Sequence, residues 1–292
     1  MARLRYVSGP PRASVAAPAR ARHTVRSLRA IYETEPEIAA ALLPRPLVAA
    51  PSPEVFVQLA SVEMHLGDER VVRVGAATVG VACTHEGAPG YYVIAMPMEG
   101  EFVVIGGREK YGEPKKLAET TFALDGERVG ASVRRHGVTC LELAGRGGGD
   151  AGRPLQFTEH FYCYKALPAC RPDADNGGFD GDVFLTRLVW ERDYTSRRAV
   201  LDGAITLRES AHDPLVDVPV KRLVHMELAE GGSKTSGDVV ARVPGAWLAP
   251  FLVQRYDDPG PGIEVPLASE AVARSVTGLG CARPCPLSTS TS

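Results

Sequence analysis

No stretch of this chain stays apolar for the roughly 20 residues that a bilayer-crossing helix needs, because Arg, Glu, Gly or Pro interrupts every run. A membrane partner is not expected. Charge of one sign is also lacking: 33 Lys and Arg stand against 35 Asp and Glu, a net charge of -2, so no global field draws nucleic acid or an anionic surface. Six cysteines occur, but none forms a C-x-x-C pair and none has zinc-site spacing, which suits a reduced cytoplasmic chain. The seven histidines show neither H-x-x-x-H nor H-E-x-x-H spacing, so no metal or other cofactor is expected. A G-x-S-x-G nucleophile elbow is missing too. Asp173 to Gly177 opens like a calcium loop, but its glycine comes one place early and Phe184 stands where the bidentate Glu belongs. The triple glycine at 147–149 lacks the Lys-Ser/Thr of a phosphate loop. Both read as connections.

What is present begins with 292 residues, 45% of them apolar, enough for a sizeable core. Residues 1–32 hold seven Arg and no acidic side chain, without the apolar run of a secretory signal. With Gly9, Pro10, Pro11 and Pro18, residues 1–23 read as a flexible arm, and residues 259–292 as an extension disordered at its end. Between them, 24–258 reads as one predominantly β domain. Strands are predicted at Leu28 to Tyr32, in a pair from Val55 to Val81 turning near Gly67-Asp68, and at Tyr91 to Met98. A meander follows through Thr120–Leu124, Val129–Arg134 and Val138–Leu143, then Phe157–Lys165, Val183–Glu191, Arg198–Leu207 and Val220–Leu228. Gly145–Gly152 and Pro172–Gly181 read as loops. Thr34, with Glu37, is set to cap a short helix, and a last helix is expected from Ala246 to Tyr256.

Lysine is scarce: only six of the 33 basic residues are Lys, and two of these, Lys115 and Lys116, are adjacent. They follow Gly106-Gly107-Arg108-Glu109-Lys110-Tyr111-Gly112-Glu113-Pro114, a stretch read as glycine turns leading into an extended path fixed by the proline. Extended side chains alternate, so Glu113 and Lys115 should share one face while Lys116 points the other way.

Gly-Arg-Glu at 107–109 and Pro-Lys-Lys-Leu at 114–117 resemble the signature of the acetoacetate decarboxylase family. The resemblance continues in Tyr32 with Thr34-Glu35-Pro36, in Pro44-Arg45-Pro46-Leu47, and in Pro214-Leu215-Val216-Asp217-Val218-Pro219-Val220-Lys221, over about residues 26–256. It implies a mainly β (α+β) fold, an antiparallel β cone or barrel with a few peripheral helices around an apolar pocket, and a homo-oligomer. It also implies that Lys115, first of the pair, is a Schiff-base nucleophile. In water a lysine of pKa about 10.4 is less than about 0.1% neutral at pH 7, and only the neutral amine attacks a carbonyl. A fall of about three units, about 4 kcal/mol, is required, which burial in an apolar pocket supplies. Lys116 points away by alternation, so its repulsion is the smaller influence. Arg108 and Glu109 match the family's Gly-Arg-Glu and either line the site or pair structurally.

The match also breaks. The family's two pocket glutamates fall near Val57 and Ala76, neither of them acidic, with Gln58 or Glu54 as replacements for the first after a register shift. Its N-terminal pocket arginine falls near Val25, making Arg26 the nearest candidate with Arg22 behind it. Glu113 stands where an aromatic residue is usual, and a carboxyl there suits proton transfer at an enamine. The expected function is a cofactor-independent lyase that decarboxylates a small β-keto acid through a lysine iminium. The alternatives are aldol addition or dehydration of a pyruvate-type keto acid through the same lysine, and a barrel that binds a small carbonyl compound without catalysis.

Overall fold

The computed structural model describes residue 6 and residues 22–65, 71–171, 176–258 and 260–268. The expected N-terminal arm, the turn at Gly67-Asp68, the start of the calcium-like loop and the end of the C-terminal extension lie outside the described residues, as does the Arg22 side chain. In chain order the elements are β1 (Arg22–Glu33), α1 (Pro36–Ala41), β2 (Val48–Ala49), β3 (Glu54–His65), β4 (Val71–His85), β5 (Ala88–Met98) and α2 (Glu101–Tyr111). There follow β6 (Lys115–Leu117), β7 (Glu119–Asp125), β8 (Arg128–Arg135), β9 (Val138–Asp150), β10 (Gln156–Lys165), β11 (Val183–Leu207), β12 (Arg222–Val243) and α3 (Gly245–Leu248).

All twelve strands belong to one sheet, mostly antiparallel. β1 pairs with β3 and β12, β3 with β4, and β4 with β5. β5 then pairs in parallel with β10, which pairs with β11, which returns to β12. These seven strands close a circuit, while β9, β8 and β7 branch from the second half of β11. β1 is buried on both faces: Leu28, Ala30 and Tyr32 join a cluster with the branch strands, while Val25, Ser27, Arg29 and Ile31 lie on the other face. That double burial erases the polar alternation of a half-exposed strand. Ile31, Phe56, Met96, Phe161, Leu188 and Trp190, from five strands of the circuit, meet in a second cluster, with the Phe161 and Trp190 rings 4.1 Å apart.

Several expected boundaries shift. The two strands read at 183–191 and 198–207 are one, because Arg192 and Arg197, polar enough to suggest a break, are buried. β12 likewise runs past Leu228 to Val243, and the glycine-rich 145–150 continues β9 through Gly147 opposite Val200. α1 starts from Glu35 with Pro36 in its first turn and no side-chain cap; Thr34 is buried and its hydroxyl is without a hydrogen-bond partner. The last helix is α3 followed by separate 3-10 turns at Ala249–Phe251 and Val253–Tyr256, since Pro250 has no N–H to continue an α-helix.

Arg192 and Arg197 meet Arg29 in a buried ionic network. Arg29 Nη1 donates to Tyr194 Oη (2.8 Å) and Glu159 Oε2 (3.1 Å), and its Nη2 reaches Glu159 Oε1. Arg192 Nε donates to the same Glu159 (2.9 Å) and its Nη2 to Gln58 Oε1 (3.2 Å). Arg197 holds Glu227 through two bonds of 3.0 and 2.7 Å. Burial alone would raise the Glu159 pKa, but the Arg29 and Arg192 guanidinium groups outweigh it and hold the carboxyl at about 2 against an ordinary 4.5. A depressed folded-state value means that the unfolded chain takes up the proton first. The stability from this carboxylate is therefore complete above about 4.5 and is lost as the pH falls toward about 2. Denaturant midpoints should fall steadily across that window, and a flat profile would contradict the assignment.

Candidate active site

The site is built where α2 ends. Gly106 and Gly107 each cost about 1 kcal/mol relative to alanine inside a helix, which is why the sequence suggests turns. The helix forms nonetheless, and Gly107 packs directly on Glu113 and Lys115: a Cβ there would lie 2.1 Å from Glu113 Oε2 and 2.6 Å from Lys115 Nζ. Gly112, at φ 74°, supplies the left-handed residue that closes the helix, with its N–H on the Arg108 carbonyl at 3.0 Å. The chain then turns through Pro114, with the Lys115 N–H on the Glu113 carbonyl at 2.8 Å, and β6 runs parallel to β5 with Lys115 beside Met96.

Alternation places the side chains as the sequence predicts. Lys115 Nζ lies 2.7 Å from Glu113 Oε2, and both side chains are buried, at 11% and 6% exposure. Oε2 receives no directed hydrogen bond, so the contact is an ion pair rather than a shared N–H. Lys116 turns the other way: its ammonium donates to the His212 carbonyl at 2.9 Å and contacts Asp257 at 2.9 Å and Asp213 at 3.4 Å. Two carboxylates compensate its charge there. Arg108 donates from Nη1 to the carbonyls of Lys115 (2.8 Å) and Arg255 (3.0 Å), so it fixes the backbone under Lys115 without lining the cavity. Glu109 is exposed and has no ion-pair partner among the described residues.

Lys115 and Glu113 open into a cavity of about 340 Å³. Val25, Val62, Met64, Val74, Met96 and Met98 provide much of its apolar wall, with His23, Gln58, Thr78 and Arg192 as polar groups. Phe102 and Lys110, both exposed, also line it from α2. Among the described residues Glu113 is the one carboxylate that lines it. Val57 faces the opposite cluster, its neighbour Gln58 faces the cavity, and Ala76 lines the cavity without an acid. Glu54, the other replacement considered, is not among the lining residues.

Arg26 is corrected. Val25 lines the cavity, so the position expected for the family arginine is occupied by valine, and the next residue necessarily points to the other face of β1. There Arg26 is exposed and pairs with Glu230. The arginine that does reach the cavity is Arg192, supplied by β11 and invisible to any local motif. His23 is a second missed residue. Burial lowers its pKa, and Lys115, His65 and Arg192 push the same way, so the ring is mainly neutral near pH 7. Its Nδ1 is buried without a hydrogen-bond partner.

One group of possible metal ligands occurs among the described residues, His136, His212 and Asp257. Both Asp257 oxygens are already engaged, Oδ1 by Lys116 and Oδ2 by Arg135 at 2.7 Å, so a cation there would have to displace two cationic side chains. No helix among the described residues is long and apolar enough to cross a membrane.

A family model described as acetoacetate decarboxylase (ADC) matches residues 7–243. The solved acetoacetate decarboxylase of Legionella pneumophila is 20% identical with a TM-score of 0.63, covering 81% of this chain and 93% of that one. The enduracididine biosynthesis enzyme MppR, solved with the condensation product of pyruvate and imidazole 4-carboxaldehyde, is 13% identical with a TM-score of 0.65, covering 79% and 92%. An acetoacetate decarboxylase-like enzyme from Sphingomonas wittichii is 19% identical with a TM-score of 0.63, covering 83% and 100%. At such identities these likenesses establish a shared fold. No curated protein sequence matches the chain.

Proposed function

Because the chain belongs to the acetoacetate decarboxylase family, we propose that it is a Schiff-base lyase in which Lys115 condenses with a small keto acid, with decarboxylation of a β-keto acid as its leading reaction. The observation that supports this most is the Lys115–Glu113 pair, 2.7 Å apart in a largely apolar cavity.

Glu113 takes the ammonium proton, leaving a neutral amine and a carboxylic acid in contact. The amine adds to the ketone, and the carboxylic acid gives its proton to the departing hydroxyl, so that water leaves, the iminium forms and Glu113 is a carboxylate again. With a carboxylate on the carbon next to the iminium, the bond to that carboxylate breaks, its electron pair forms the enamine double bond as the C=N pair moves onto nitrogen, and CO2 departs. A proton drawn from water through Glu113 goes to the enamine carbon, and hydrolysis of the resulting iminium frees the product and restores the Lys115 ammonium. His23 and Arg192 serve the substrate carboxylate or the water in this scheme, and Arg108 holds the Lys115 backbone. Where the carbon next to the iminium holds a proton instead of a carboxylate, Glu113 as a carboxylate removes it, and the enamine adds to an aldehyde. That second reading draws on the absence of acids at the Gln58 and Ala76 positions and on MppR, whose solved complex holds a pyruvate condensation product.

Borohydride reduction with a panel of keto acids, followed by intact-mass measurement and peptide mapping, should place one adduct on Lys115. No adduct with any of them would overturn the Schiff-base reading in favour of a binding protein, and CO2 release distinguishes the two reactions. Glu113→Gln should still give the adduct but turn over about 10²- to 10⁴-fold more slowly, since the proton carrier is gone. Unchanged turnover would remove Glu113 from the mechanism.

A further inference from the structure

The buried ionic network does not balance. Among the described residues three guanidinium groups, on Arg29, Arg192 and Arg197, meet two carboxylates, Glu159 and Glu227, and the most exposed of the five side chains is Glu159 at 11%. One buried positive charge is in excess. Each guanidinium touches a carboxylate, but the carboxylates are shared, and an uncompensated buried charge is a cost that a bound anion would offset.

A second cavity, of about 280 Å³, lies beside the network and shares no lining residue with the Lys115 cavity. Gln58 and Arg192 face the first cavity, Arg29 and Glu159 the second, so the network is the partition between them. Arg197 also lines the second cavity. Its Nη1 gives one hydrogen to the Pro154 carbonyl at 2.6 Å and its Nη2 gives one to Glu227, and since each of these nitrogens carries two, one N–H on each is uncommitted among the described residues. Arg153, exposed at the edge, touches only His225 Nδ1 at 3.2 Å and no carboxylate among the described residues. Burial first, and Arg153 second, push the His225 pKa down to about 4, so at neutral pH that ring brings no charge of its own. Glu54 acts electrostatically on Tyr91 but forms no ion pair with these arginines. The remaining walls are apolar, with Phe56, Tyr91 and Phe157 beside Ala30, Ile31 and Pro154. Arg197 lies 4.6 Å and Arg29 5.4 Å from the Phe157 ring centre.

We propose that this second cavity binds a small organic carboxylate with a flat apolar body, its carboxylate meeting Arg153 and Arg197 and its body lying against Phe157 and Tyr91. The buried network lacks one negative charge, while the charge of Arg153 at the rim is met by solvent, which calls for a monoanion, and the aromatic walls call for an apolar body rather than a bare ion. The assignment is independent of any chemistry at Lys115.

Calorimetric titration of the intact chain with benzoate, benzamide and inorganic phosphate tests it. Benzoate should saturate one site per chain, with benzamide and phosphate each at least tenfold weaker. Arg153→Gln, an exposed position where folding is not at stake, should weaken benzoate at least tenfold and leave borohydride trapping at Lys115 unchanged, whereas Lys115→Met should leave benzoate binding as it is. The assignment is overturned if no saturable binding occurs, if benzamide or phosphate binds as well as benzoate, or if Arg153→Gln binds like the wild type. It is also overturned if Lys115→Met abolishes binding, because the ligand then occupies the first cavity. A failure to trap an imine in the wild type leaves these outcomes readable and counts only against the Schiff-base function.

Discussion

Replacing Lys115 with methionine is expected to abolish the borohydride-trapped adduct and to lower turnover of any responsive keto acid by at least about 10⁴-fold, the scale on which removing a covalent nucleophile acts. Methionine keeps most of the side-chain length in a cavity already walled by Met64, Met96 and Met98, so packing changes little. What disappears is the nitrogen. Glu113 loses its cation but not its place beneath α2, and the fold is expected to survive the exchange. Circular dichroism and a thermal scan separate loss of chemistry from loss of structure. A methionine variant that still turns over a keto acid at a tenth of the wild-type rate would rule out the imine, whatever adducts the wild type forms.

The second large effect is expected at a residue with no side chain. Gly107→Ala places a methyl group 2.1 Å from Glu113 Oε2 and 2.6 Å from Lys115 Nζ, inside any van der Waals contact, so the carboxylate and the amine must move apart. A displacement of about 1 Å at reacting groups costs on the order of 10²-fold in rate, and that is the minimum loss expected in kcat/KM. Stability should respond weakly. Alanine gains about 1 kcal/mol over glycine in a helix, and overpacking costs about 1–3 kcal/mol, so the two nearly offset. Gly106→Ala is the matched control: nothing lies within 4 Å of the added carbon, so activity should be near that of the wild type. Equal activity in the two variants would show that the contact with the pair carries no functional weight.

The contrast between these neighbouring glycines also marks the limit of what sequence patterns reveal. The pairing of Glu113 with Lys115 and the divergence of Lys116 were legible, because an extended backbone alternates regardless of what surrounds it. So were most strands of the circuit and the meander of β7, β8 and β9, whose pairings are local. α2 was not legible: two central glycines argue against a helix, and their value appears only once Glu113 and Lys115 are packed beneath them. Arg192 and Arg197 were hidden by their polarity, which suggested a gap between two strands where there is one strand with both side chains buried against acids contributed by β10 and β12. Arg26 shows the reverse error. A motif offset by one residue is harmless in a loop and decisive in a strand, where it exchanges the inside for the outside. His23 lacked any signal, since its significance comes from contact with groups on distant strands.

The clamp made by Arg108 has a consequence for when the site is completed during synthesis. Its two acceptors are the Lys115 carbonyl, seven residues along the chain, and the Arg255 carbonyl, 147 residues along, and Arg255 in turn donates from Nη1 to the Tyr164 carbonyl at 2.6 Å. The short turn at Val253–Tyr256 thus fastens the backbone of Lys115 to a strand from the middle of the chain. A nascent polypeptide halted before that turn leaves the ribosome has Lys115 beside β5 but lacks the Arg255 half of the clamp, so the frame around Lys115 closes only after residue 255 has emerged.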